Sequence, residues 1–272
     1  MALALVASDV VFLLLCVALY GGAAWVSAWV TAPLTSPWLV WPVAALVFPT
    51  VLTFGVAILH LPLPRLRPGR YDLMKGPMFW SWMIRALLRR ALLPAPLKPL
   101  FFSFATFRFL TLRALGAKVA FGANMSTDVD LLDPALLVVE SGATLGARSL
   151  VSGHFVDGGK LVLGEVRIEQ GALLAVDVLV GPDSVIGAKA RLLGGVKLGP
   201  CCQIGAKAVL EPGVRGEGWC HVDPGARVPA FRDLARHERF TADGESLDAR
   251  ATQERTDASN ASSTTSSAAP AV

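Results

Sequence analysis

The sequence predicts a mainly β fold: a left-handed parallel β-helix of six-residue repeats, preceded by a transmembrane helical hairpin and interfacial helices. Three observations carry this. Aliphatic residues recur every six positions through the C-terminal half. Two apolar runs fill the chain up to Leu59. A strongly basic, aromatic stretch lies between these two regions.

The apolar runs come first in the chain. Hydrophobic residues make up 53% of the 272 and mean hydropathy is +0.53, more apolar than soluble domains usually are. No Asp, Glu, Lys or Arg occurs between Asp9 and Arg65. Val10 to Val30 and Trp38 to Leu59 each have about the 20 residues that a helix needs to cross the hydrocarbon core. The Thr31–Pro37 segment between them carries turn residues. Trp25, Trp29, Trp38 and Trp41 flank it, as expected at a membrane interface. A cleaved signal peptide would show a basic start and a shorter apolar core. Residues 1–60 therefore read as a hairpin, with Pro42 and Pro49 bending its second helix.

Residues 61–118 read as a basic, amphipathic interfacial linker. From His60 to Lys118 there are eleven Lys or Arg and one acid, Asp72. Such a run beside apolar segments points to membrane lipid rather than nucleic acid. By the positive-inside rule it places the β-helix on the cytoplasmic face of the inner membrane. Trp80, Trp82, Phe101, Phe102 and Phe104, mixed with Arg85, Arg89 and Arg108, suit helices on anionic lipid. Packing against the β-helix suits them equally.

Residues 119–230 read as the β-helix. Ile168, Leu174, Val180, Ile186, Leu192, Leu198, Ile204 and Leu210 follow one another at six-residue steps. Four residues after each comes a small or β-branched residue, or Cys202. A coil with three flat sides needs one large inward residue per side, one small residue where the core narrows, and a sharp corner. Glycine after the aliphatic residue is expected to supply the corner dihedrals. Three hexads make one turn, so residues three hexads apart stack about 4.8 Å from one another, the spacing of strands in a sheet. The run is expected to end near Val214. An earlier phase, Val139, Leu145 and Val151, does not join the later one by a multiple of six. An insertion or a deletion therefore lies within 152–167, with Ser152 to Gly159 as the expected loop. Residues 231–272 read as a charged exit segment, and Thr256 to Val272 as a disordered tail.

The chemistry-bearing candidates follow from this layout. His154 sits in the inserted loop, where function tends to reside, and imidazole accepts a proton near neutral pH. Asp157 is placed to orient the ring. A purely structural His154 fits the sequence as well. Gly187-Ala188-Lys189 and Gly205-Ala206-Lys207 stand three hexads, one full coil, apart. Lys189 and Lys207 therefore stack on one corner, where ammonium groups beside the Gly187 and Gly205 backbone would hold phosphates of an acyl donor, or simply form a solvated edge. Cys16, Cys201, Cys202 and Cys220 have neither metal-ligand nor disulfide-framework spacing and read as reduced thiols. The sequence indicates no metal site.

The hexad run with its interrupting loop resembles the hexapeptide-repeat acyltransferases. Residues 61–215 resemble one branch more closely: the membrane-linked terminal domains of polylysine-synthetase-like non-ribosomal peptide synthetases. That likeness rests on Leu63 to Gly69, Trp80-Ser81-Trp82 with Arg85, Arg113 to Lys118, Asp128 to Leu136, and His154 to Gly158. It implies a homotrimer with sites between subunits and His154 as base. It also implies transfer from acyl-CoA or an acyl-carrier thioester to the hydroxyl or amine of a small-molecule or carrier-bound acceptor. A non-catalytic assembly module is the alternative it allows. The family's closing motif is replaced by Asp223 to Ala230.

Overall fold

The computed structural model describes residues 2–94 and 97–248, with side chains from Asp9 to Leu247. The tail read as disordered lies outside the described residues. Two long helices open the chain, α1 (Ala2–Thr31) and α2 (Pro37–His60), and α2 continues through Pro42 and Pro49. Asp9–Thr31 and Pro37–His60 are long and apolar enough to cross a membrane. Ala23, Leu52 and Val56 are buried, whereas Leu13, Trp25, Trp29, Trp38 and Trp41 are exposed. The Tyr20 hydroxyl donates to the Ala91 carbonyl at 2.7 Å and ties α1 to the end of the helix that follows α2.

Three shorter helices follow: α3 (Gly76–Leu92), α4 (Lys98–Ser103) and α5 (Ala105–Ala114). They are more than an interfacial linker. Leu88, Leu92, Phe101, Phe102, Leu112 and Leu115 are buried in the same continuous core as the β-helix. Burying apolar area stabilises by roughly 25 cal/mol per Å². These helices thereby close the N-terminal end of the β-helix, and only part of their aromatic surface, such as Trp80 and Phe104, stays exposed.

From Lys118 the chain winds as a parallel β-helix of about seven turns. Its three faces are three parallel ladders of short strands. Ile186 pairs with Ile204 and Ile204 with Val222 on the first face. Leu192 pairs with Leu210 on the second, and Val180 with Leu198 on the third. Every aliphatic residue of the six-residue phase from Ile168 to Leu210 is buried, as are the small residues four positions on, including Ser184 and Cys202.

Two features differ from the sequence expectation. Parallel pairing continues past Val214, through His221↔Arg239 and Val222↔Phe240. The phase is hidden there because Gly216 takes an inward aliphatic position. The Cys220 and Cys202 sulfurs and a Leu198 methyl surround the space a Cβ would occupy. The glycines after the aliphatics also have a different purpose from the one expected. Left-handed backbone falls two residues later, at Asp183, Lys189, Cys201 and Lys207 (φ 58 to 60°). Gly187 and Gly205 are needed because a Cβ there would lie 2.6 and 2.4 Å from the backbone of the next coil.

The register break is a β-hairpin rather than an open loop. Val119 pairs with Val139, and Val139 with Ile168. Both steps are longer than the three hexads of a regular turn, and the second exceeds the first. The surplus in the first coil forms a 3-10 turn, Pro134–Leu136. The larger surplus forms antiparallel strands His154–Asp157 and Lys160–Leu163. Gly158 and Gly159 (φ 53 and 74°) make the turn, the left-handed pair that tight hairpins favour. The second strand also pairs with Gly69–Asp72, giving a three-stranded sheet against the side of the β-helix.

Candidate functional site

The two insertions meet. Asp133 precedes the 3-10 turn and His154 opens the hairpin, and Asp133 Oδ2 lies 2.5 Å from His154 Nδ1. The same oxygen accepts the Gly153 N–H at 2.9 Å, and Oδ1 accepts the Trp82 indole N–H at 2.8 Å. The carboxylate is 3% exposed and the imidazole 25% exposed. A buried carboxylate is tolerable only when its acceptors are satisfied. Here a backbone donor, an indole and an imidazole supply the partners. Trp82 stands edge-on to the imidazole, ring centroids 4.8 Å apart. Ser152 Oγ donates to the His154 carbonyl at 2.8 Å and pins the start of the strand.

Gly153 makes the approach of Asp133 feasible. A Cβ at Gly153 would sit 2.9 Å from Leu136 Cβ and 3.1 Å from Asp133 Cβ. The arrangement leaves Nε2 as the ring nitrogen without a partner among the described residues. A carboxylate on Nδ1 favours the tautomer with its proton there and a lone pair on Nε2. That is the state a general base requires.

The expected pairing of His154 with Asp157 is not what the structure contains. Residues three apart in a strand point to opposite faces. Asp157 instead pairs with Arg70 at 3.2 Å, both more than half exposed. The acid that orients His154 is Asp133, from the preceding coil. Sequence reasoning missed it because the link runs between two insertions whose positions the hexad phase does not fix. The available signal was Asp133 standing before a proline at a break in the repeat.

Lys189 and Lys207 do stack. The Lys207 N–H bonds to the Ala188 carbonyl and the Lys189 N–H to the Gln170 carbonyl. Their corner separates the first face from the second, whereas the hairpin leaves from the corner between the third and the first. One chain therefore does not bring the lysine ladder to His154. Gly187 and Gly205 face the adjoining coil rather than an open surface, so their role is packing. Among the described residues, no group of His, Cys, Asp and Glu could hold a metal.

No family profile matches the chain, and no curated protein matches it. Solved structures do. One is the acetyltransferase domain of PglB from Neisseria gonorrhoeae in complex with acetyl coenzyme A: 19% identity, TM-score 0.39, covering 53% of this chain and 65% of that one. A second is PerB from Caulobacter crescentus, with CoA and GDP-perosamine: 20% identity, TM-score 0.39, covering 54% and 72%. A third is a hexapeptide transferase family protein from Anaplasma phagocytophilum: 12% identity, TM-score 0.24, covering 46% and 77%. The chain thus spans under two thirds of the PglB domain's length. Fold and site together define a parallel β-helix with an Asp–His pair between two insertions, joined to two membrane-length apolar helices.

Proposed function

We propose that the chain is a membrane-anchored acyltransferase that moves an acyl group from a CoA or carrier thioester to a hydroxyl or amine. The observation that carries this reading is the buried Asp133 held on His154 Nδ1. Nε2 takes the proton of the acceptor O–H or N–H as that atom attacks the thioester carbonyl. The tetrahedral intermediate collapses, the carbon–sulfur bond breaks, and the imidazolium returns its proton to the departing thiolate. Asp133 holds the tautomer and stabilises the imidazolium. Asp157 takes no part in this scheme.

The donor's phosphates bind the Lys189–Lys207 ladder. Because that ladder stands on another corner, it serves His154 from a neighbouring copy of the chain, in keeping with the homotrimer that the resemblance implies. Likeness to the peptide-synthetase terminal domains favours a carrier-bound aminoacyl donor as readily as acetyl-CoA. On this reading the two apolar helices sit in the membrane, which the exposed Trp25, Trp29, Trp38 and Trp41 support, and the basic segment favours a β-helix on the cytoplasmic side.

A non-catalytic assembly module is the second reading, favoured by the separation of the ladder from His154 within one chain. The test is a donor screen. The full chain in detergent is given acetyl-CoA, longer acyl-CoAs and an aminoacyl-carrier thioester, with amino sugars and alcohols as acceptors, and thiol release is followed. Acceptor-dependent release supports the transferase. Its absence across the panel, with retained binding of a carrier protein, supports the assembly module.

A further inference from the structure

A cavity of about 660 Å³ lies where α2 ends against α3, α5 and the first coil of the β-helix. Ligand sites commonly have this size. Arg65, Arg85, Arg113 and Lys118 line it, with one carboxylate, Glu165. Glu165 is already engaged by Lys118 at 3.0 Å and Arg167 at 2.9 Å. None of Arg65, Arg85 and Arg113 has a carboxylate partner among the described residues. Arg85 is half-buried and donates only to neutral oxygens, the Leu63 and Pro64 carbonyls and Ser81 Oγ. Burial pulls its guanidinium below the usual range, as expected for a cation short of compensation.

His60 also lines the cavity. It is 8% exposed, and neither ring nitrogen has a hydrogen-bond partner among the described residues. The Ala114 backbone lies near the ring but outside hydrogen-bond geometry. An unpartnered buried imidazole costs free energy unless a ligand meets it.

Two placements indicate what the ligand is. His60 is the last residue of α2, a membrane-length helix whose neighbouring Ile58 and Leu61 are 63% and 81% exposed. The cavity is therefore level with the end of a membrane-length apolar helix, the depth of lipid headgroups. It also adjoins the Asp–His pair. A smaller gap lined by Trp82 and Asp133 shares Leu66, Arg85 and Ala135 with it, and Trp82 and Asp133 hold His154.

We propose that this cavity binds the phosphate or diphosphate of a lipid-borne acceptor, with the hydrocarbon chain along α2 and the headgroup's hydroxyl or amine directed toward His154. The assignment of an acceptor rests on the transferase reading; the binding of a lipid phosphate does not. Guanidinium groups suit it because they bind phosphate oxygens in pairs.

The test uses the full chain in phosphatidylcholine nanodiscs, with farnesyl diphosphate, farnesol and inorganic pyrophosphate as probes and equilibrium binding as readout. Farnesyl diphosphate is expected to bind about tenfold or more tighter than either other probe. Arg65→Gln with Arg113→Gln, both exposed positions, is expected to lose about tenfold or more for farnesyl diphosphate and nothing for farnesol. Should the double variant unfold, Arg65→Gln alone serves the same comparison, since its side chain bonds to nothing among the described residues. Farnesyl diphosphate no tighter than farnesol, or undiminished in the variants, overturns the proposal. Pyrophosphate binding as tightly as farnesyl diphosphate overturns the lipid source. His154→Ala is expected to bind all three probes normally. Wild-type turnover in that variant, with binding intact, would refute the base assignment and leave this site standing.

Discussion

Asp133 and His154 each belong to an insertion that interrupts the hexad repeat, one coil apart. Their side chains nonetheless meet at 2.5 Å, beneath the edge of Trp82. The β-helix supplies the rigid frame. Asp133 enters at the first-coil insertion, and His154 leaves the following coil at the same corner. On the proposed reading, this buried carboxylate fixes the orientation and tautomer of the imidazole.

Asp133→Asn tests that use. An amide can donate to Nδ1, which moves the ring proton to Nε2 and removes the lone pair needed for proton abstraction. We expect kcat to fall roughly 10²–10⁴-fold, with donor KM little changed. Steady-state kinetics on the folded variant check this; an unchanged kcat would show that Asp133 is only structural.

Gly153→Ala is a finer probe. The new Cβ would press on Leu136 and Asp133 at 2.9 and 3.1 Å. Relief requires the 3-10 turn to shift, which lengthens the Asp133–His154 bond. We expect kcat to drop about tenfold or more for a displacement of this kind, at a stability cost of about 1–3 kcal/mol. The check combines kinetics with unfolding midpoints.

The core of the β-helix admits no charge. Ile186 is fully buried, stacked between Ile168 and Ile204. Ile186→Asp leaves a carboxylate without a partner and should cost roughly 3–5 kcal/mol or prevent folding. Asp157→Ala removes only an exposed ion pair with Arg70, and should cost about 0–1 kcal/mol. Chemical denaturation of both variants gives the comparison.

Cys201 provides a pH test independent of catalysis. Burial, with the Asp183 carboxylate accepting from its thiol at 3.7 Å, pushes its pKa up to about 11. A raised thiol pKa means that the reactive thiolate is scarce below that value. Alkylation of Cys201 in the folded chain should therefore remain slow at pH 8 and 9, where an unperturbed thiol reacts, and rise toward pH 11. Asp183→Asn should shift that rise to lower pH. Mass spectrometry of trapped samples reads it directly.

The fold was legible wherever the hexad phase was unbroken, because an inward position on a six-residue step tolerates little besides an aliphatic. It failed at Gly216, where packed cysteines fill the gap in place of a branched side chain. The hairpin was legible only as a break: the phase shift locates surplus residues but carries no pairing information. His154 was found because it lies in that break. Asp133 was not, since contacts between two insertions depend on the three-dimensional stacking of coils. Lys189 and Lys207 were correctly stacked by their three-hexad spacing. Spacing does not say which corner faces which loop, so it left open how the ladder stands relative to His154.

We propose His154 as the proton acceptor in acyl transfer. The most direct measurement compares wild type and His154→Ala in full-chain preparations, under saturating donor and the best acceptor from the screen, by initial rates of thiol release. We expect kcat to fall roughly 10²–10⁴-fold while donor KM stays within about twofold. Turnover at the wild-type rate in His154→Ala would contradict it.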